Sequence, residues 1–118
     1  MKLNKKIIII GTVSSYLYSF RKDLIASLIE QGHTVHAFIT DDEEKSIDDI
    51  RQLGAISVVY KLSRGGLNPI IDISNTFSLY KKIKSINPDV VISYSAKPVI
   101  FGSLAAKAAK TKKVIGMI

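Results

Sequence analysis

Lys5-Lys6-Ile7-Ile8-Ile9-Ile10-Gly11 is the stretch whose reading decides the fold. Four isoleucines between two lysines and a glycine are too short for a helix. They suit a strand covered on both faces, because β-branched side chains pack well on a pleat and such a strand has no polar face to alternate with. A strand buried on both sides implies a parallel sheet with helices above and below. Gly11 ends the strand where a helix is due, and in open α/β sheets such a strand–loop–helix corner is where ligands sit.

Working outward, the first helix is expected from Leu17 or Tyr18 to Gln31. Phe20, Leu24 and Leu28 should form its inner face, widened by Ile25 and Ile29, and Gly32 should follow its end. His33 to Thr40 reads as a second strand. Asp41, Asp42, Glu43 and Glu44 open a second helix, with Asp41 and Glu44 at capping-box spacing and Ile47, Ile50 and Leu53 inward. Ala55 to Tyr60 is a third strand. The pair Gly65-Gly66 marks a loop, and Asn68-Pro69 starts a third helix with Ile70, Ile73, Phe77, Tyr80, Ile83 and Ile86 on its apolar side. Asp89 to Tyr94 is a fourth strand. Pro98 opens a fourth helix through Lys110, with Phe101, Leu104, Ala105 and Ala108 inward, and Val114-Ile115 belongs to a fifth strand. This strict alternation predicts a doubly wound parallel α/β sheet of five strands in the order 3-2-1-4-5.

The 118 residues support one domain, and 47% hydrophobic residues are enough to bury a core. The absence of cysteine excludes a disulfide framework and a thiolate metal site. A net charge of +7 points to anionic partners or to simple solubility. No apolar run approaches the roughly 20 residues of a spanning helix. Ile7 to Ile10 is also shorter than the ~7–15 residues of a signal-peptide core. The protein therefore reads as cytoplasmic. The chain stops at Gly116-Met117-Ile118 without a polar tail, which leads us to expect further protein beyond it.

In this strand order the crevice lies between the carboxyl ends of strands one and four, where the loops 11–17 and 93–97 meet. A helix N-terminus without a capping side chain at Ala96, beside Lys97, has the makings of an anion site. Arg64 and Arg21 could add positive charge, and Tyr16 and Tyr18 could stack on a ligand. The G-x-G-x-x-G pattern of nicotinamide binders and the P-loop pattern are both missing. His33 and His36 read as structural, and no metal-ligand spacing involves them. No general base or nucleophile falls at the crevice, so no catalytic residue is identified; the pattern is that of a binding half.

Three segments carry a family resemblance: Tyr18-Ser19-Phe20-Arg21, Leu62-Ser63-Arg64-Gly65-Gly66-Leu67-Asn68-Pro69, and Tyr94-Ser95-Ala96-Lys97-Pro98 with Phe101-Gly102-Ser103-Leu104-Ala105-Ala106. Together they resemble the amino-terminal domain of family 4 glycosyltransferases, above all bacterial members that build capsule, exopolysaccharide, O-antigen or lipopolysaccharide. The resemblance implies a GT-B enzyme with two Rossmann-like domains. Residues 1–118 would be the acceptor-side domain, and an absent carboxy-terminal domain would hold a nucleotide sugar, commonly a UDP-sugar, on an E-x7-E motif. It implies transfer with retention of configuration, no metal and no other cofactor. The acceptor would be a saccharide, often linked to polyprenyl diphosphate at the cytoplasmic membrane face. By position, Gly11 and Thr12 would approach the donor diphosphate, and Arg21, Arg64 and Lys97, with Tyr18 and Ser95 beside them, would contact donor or acceptor.

Lys81, Lys82 and Lys84, with Lys107, Lys110, Lys112 and Lys113, could also hold the protein on anionic lipid. Two other readings stay open: a binding subunit paired with a separate catalytic chain, and a flavodoxin-like nucleotide-binding module. Nucleic acid is not an expected partner, because the basic residues are not interleaved with aromatics in a known module pattern.

Overall fold

The computed structural model describes residues 4–62 and 69–117. Five strands and four helices alternate: β1 (Lys6–Ile10), α1 (Ser14–Glu30), β2 (Thr34–Ile39), α2 (Glu44–Gln52), β3 (Ile56–Val59), α3 (Pro69–Ile86), β4 (Val90–Tyr94), α4 (Ala96–Ala108) and β5 (Lys113–Met117). The sheet is parallel throughout, in the expected order β3-β2-β1-β4-β5. β1 is central, with Ile9 opposite Ala37 of β2 and Ile92 of β4.

The four isoleucines divide between two cores. Ile7 and Ile9 pack with Val35, Ala37 and Ile39 under Leu17 and Ile25 of α1 and Ile47 and Ile50 of α2. Ile8 and Ile10 pack with Phe38 and Val91 under Leu79 and Ile83 of α3 and Ala105 and Ala106 of α4. A period of two therefore sends alternate residues of one apolar run to opposite layers. Gly102 lets α4 approach closely: a Cβ there would lie 2.9 Å from Ser93 Oγ and 3.1 Å from Ile10 Cδ1.

Three helix faces differ from the sequence reading. α1 starts at Ser14, ahead of Leu17, where Asp41, just past the end of the neighbouring strand β2, caps it. The Asp41 carboxylate accepts from the Ser14 amide at 2.6 Å and from Ser14 Oγ at 2.7 Å. The capping box expected within 41–44 does not form; Glu43 occupies the N-cap of α2 and accepts from Ser46 Oγ. On α1, Leu17 and Ile25 are buried while Phe20 is 73% exposed.

On α3 the C-terminal half of the expected face holds, with Ile83 buried and Tyr80 and Ile86 packed on the core, whereas Ile70, Ile73 and Phe77 look outward and Asp72 and Leu79 are buried instead. Both stripes have helical spacing. The buried Asp72 carboxylate is paired with Lys97 Nζ at 3.3 Å, as a buried charge must be. On α4, Ala105 and Ala106 face the sheet and Leu104 and Ala108 do not. The Asn68 cap and Arg64 lie outside the described residues.

Candidate functional site

A cleft of about 310 Å³ opens at the carboxyl ends of β1 and β4. Its walls come from the β1–α1 corner (Gly11, Thr12, Leu17), the first turns of α1 (Tyr16, Phe20, Arg21) and the strand ends (Tyr94, Ser95, Met117). α1 starts beyond the end of the sheet and runs back over it, so its inward face first meets the cleft and then the core. Leu17, Arg21 and Ile25 are successive residues of that face, four apart. Leu17 and Ile25 are buried, and Arg21 between them reaches the cleft, its guanidinium carbon 4.2 Å from the centroid of the Tyr94 ring. A cation over an aromatic face is held by the ring quadrupole. Among the described residues Arg21 forms no salt bridge.

Tyr94 is the other half of this arrangement. As the last residue of β4 it alternates with Ser93 and shares the α1 layer with Ile92. It is 6% exposed, and its hydroxyl has no hydrogen-bond partner among the described residues. Burial raises the phenol above its usual range, and the nearby Arg21 charge opposes that shift. An unsatisfied buried hydroxyl costs about 1–3 kcal/mol, which a ligand or water reaching it would recover.

Ser95 caps α4 in an unusual backbone conformation, with φ 70° and ψ 156°, and its side chain caps no helix amide. That region is close to glycine-only, and a serine there carries roughly 1–3 kcal/mol of strain. The α4 N-terminus therefore keeps its first amides without a side-chain acceptor from its own cap, beside a guanidinium. Both features favour an anion.

The expected site residues do not all converge. Gly11, Thr12, Arg21 and Ser95 line the cleft. The Gly11 amide is already committed to the Phe38 carbonyl at 2.9 Å, its carbonyl accepts from the Tyr60 hydroxyl, and the Thr12 carbonyl accepts from the Thr40 amide at 2.8 Å. Absence of a Cβ at Gly11 makes room for Leu17, whose Cδ1 would be 3.1 Å away. Tyr18 is half-buried, packs on the α1-side core and carries Lys22 Nζ 5.5 Å from its ring centroid. Lys97 points to the opposite layer, against Asp72 and 6.0 Å from the Phe101 ring centroid.

Tyr94 and Phe20 were not singled out as cleft walls in the sequence. The alternation Ile92-Ser93-Tyr94 could have placed Tyr94, since it fixes which layer each side chain enters. Among the described residues no carboxylate or histidine lines the cleft, and no cluster of three or more His, Cys, Asp or Glu could hold a metal. The arrangement can bind and orient an anion; it supplies no proton acceptor.

Comparison with known proteins agrees with this fold. The family described as Glycosyl transferase 4-like matches residues 6–118. The N,N'-diacetylbacillosaminyl-diphospho-undecaprenol alpha-1,3-N-acetylgalactosaminyltransferase of Campylobacter jejuni is 37% identical over 94 residues, which is 80% of this chain and 24% of that protein. A glycosyltransferase from Rickettsia africae superimposes with a TM-score of 0.73 at 17% identity, over 98% of this chain and 30% of that one. Acinetobacter baumannii MurG superimposes with a TM-score of 0.69 at 15% identity, over 95% of this chain and 35% of that one. The chain thus spans about a quarter of the curated relative and a third of each of these two structures.

Proposed function

Since this chain belongs to the glycosyl transferase 4-like family, we propose that it is the acceptor-side domain of a retaining glycosyltransferase. A second, carboxy-terminal domain holds the nucleotide sugar, a UDP-sugar. The sugar passes to a saccharide carried on polyprenyl diphosphate, or to a growing surface polysaccharide. The observation that carries this reading is the cleft at the β1–β4 switch point, where Arg21 stands over Tyr94 beside the α4 N-terminus.

Transfer from a nucleotide sugar separates a diphosphate leaving group from an electron-poor sugar carbon. This domain's part is electrostatic and positional. The Arg21 guanidinium and the first amides of α4 hold phosphate oxygens, the Thr12 and Ser95 hydroxyls fix orientation, and the exposed rings of Tyr16 and Phe20 offer a flat surface to a sugar. The relative from Campylobacter supports the acceptor class, because its name specifies a diphospho-undecaprenol-linked acceptor and an α linkage.

The test is incubation of the full-length protein with UDP-N-acetylhexosamines and an undecaprenyl-diphosphate-linked saccharide, with the product anomer read by NMR. Transfer with the donor's anomeric configuration kept is expected, together with no turnover by residues 1–118 alone. An inverted product, turnover by residues 1–118, or no transfer from any UDP-sugar overturns the reading.

A further inference from the structure

The Tyr94 hydroxyl is a polar group in the cleft that the reading above leaves without a task. Two tasks of this residue need only a ring. It packs in the α1-side core with Leu17 and Ile92, and it offers its face to the Arg21 guanidinium. Phenylalanine would do both and would bury no oxygen. Tyrosine instead carries a hydroxyl that has no hydrogen-bond partner among the described residues, on a side chain only 6% exposed. Such a group is costly unless an acceptor or donor reaches it.

The residues beside the hydroxyl say what that partner is. Tyr94 and Arg21 line the same cleft. A guanidinium has only donors, and among the described residues no carboxylate is paired with this one. Burial raises the phenol above its usual range, so at neutral pH it keeps its proton and can donate. A phenol oxygen sits on the rim of its ring. A cation over the face and a hydroxyl on the rim are therefore a few ångströms apart, a span that one phosphate group bridges. Two neighbouring donors thus open on a cleft in which, among the described residues, no carboxylate accepts from them.

We propose that the Tyr94 hydroxyl donates a hydrogen bond to the phosphate group that Arg21 holds, which makes Tyr94 a substrate-contacting residue and the pair a two-point clamp on a diphosphate. The proposal rests on the reading of the cleft as a phosphate site and adds the residue that sets its selectivity. A mobile cation alone accepts any anion. A hydroxyl fixed at the end of β4 requires an oxygen at one place beside that cation. The chemistry recognised is a diphosphate ester, which a nucleotide sugar and a polyprenyl-linked acceptor both carry.

The experiment is calorimetric titration of the full-length protein, wild type and Tyr94→Phe, with UDP and separately with farnesyl diphosphate. UDP presents the diphosphate of the sugar donor and farnesyl diphosphate that of a polyprenyl acceptor, so the arm that responds tells which one the clamp takes. Tyr94→Phe keeps the ring and the Arg21 contact and removes one oxygen. It should weaken binding of at least one ligand about tenfold or more, the value of a hydrogen bond to a charged group. Its melting temperature should stay that of the wild type or rise, because the buried oxygen is gone. In an Arg21→Ala background the same change should have little further effect, since both residues hold one anion. Unchanged affinity for both ligands overturns the proposal. So does a weakened affinity with a lowered melt, which means an internal partner for the hydroxyl, and so do losses that simply add in the double variant. If the wild type binds neither diphosphate, the phosphate reading of the cleft falls as well. If the wild type binds and Tyr94→Phe binds equally, only the role of the hydroxyl falls.

Discussion

On the α1–α2 side of the sheet, Ile7 and Ile9 are covered by Leu17, Ile25, Ile47 and Ile50, and the helices' charges nearly balance. On the α3–α4 side, Ile8 and Ile10 are covered by Leu79, Ile83, Ala105 and Ala106, yet a second apolar stripe, Ile73, Phe77 and Leu104, faces outward among lysines. The inner surfaces are alike because one strand made both. The outer surfaces differ because only their own residues and partners shape them. A helix with two apolar stripes can bury only one, and the side α3 buries carries Leu79, Ile83 and the Asp72–Lys97 pair.

This contrast can be broken first at the inner surfaces. Ile25→Ala and Ile83→Ala remove fully buried side chains from opposite layers, and each should cost about 2–5 kcal/mol in chemical denaturation. A marked inequality would mean that the two cores are not equivalent. Asp72→Ala tests the buried ion pair. It leaves a largely buried Lys97 ammonium without this carboxylate, and a loss of about 1–3 kcal/mol is expected.

Asp41→Asn tests the cap that begins α1, with an expected cost of about 1 kcal/mol. Burial alone would raise the Asp41 carboxyl, but hydrogen bonds from the Ser14 hydroxyl and amide and the Glu43 amide outweigh it and hold the group below its usual range. Stability from a depressed carboxyl is complete above its unfolded value and lost as pH falls through the folded one. The gap between wild type and variant should therefore close in acid. The smallest effect belongs to Ile73→Ser, within about 0.5 kcal/mol by thermal unfolding, because the side chain is already in water.

Periodicity made the sheet legible. A four-residue apolar run, glycines after helices and Asn-Pro boundaries depend on neighbours in sequence, and they yielded the strand order without tertiary knowledge. The helix faces of α3 and α4 were legible only in part: Ile83 and Ala105 are buried as expected, but Ile70, Ile73 and Phe77 fit a helical stripe as well as Asp72 and Leu79 do. The partner of the buried Asp72, Lys97, lies twenty-five residues further along the chain. The cap on Ser14 was hidden in the same way, by a carboxylate beyond the next strand. At the cleft, Gly11, Thr12, Arg21 and Ser95 could be placed from topology. Lys97 could not be oriented, because the turn at Ser95 decides which layer each following side chain enters.

The most direct measurement of the central claim is the rate of sugar transfer to a polyprenyl-diphosphate-linked acceptor by the full-length protein and its Arg21→Ala variant. If the cleft holds phosphate through Arg21, kcat/KM should fall about ten- to hundredfold, the value of a charge-assisted hydrogen bond. Arg21→Lys should restore part of it, and the melting temperature should change little. Unchanged kcat/KM in Arg21→Ala would contradict the account and place the phosphate contact elsewhere.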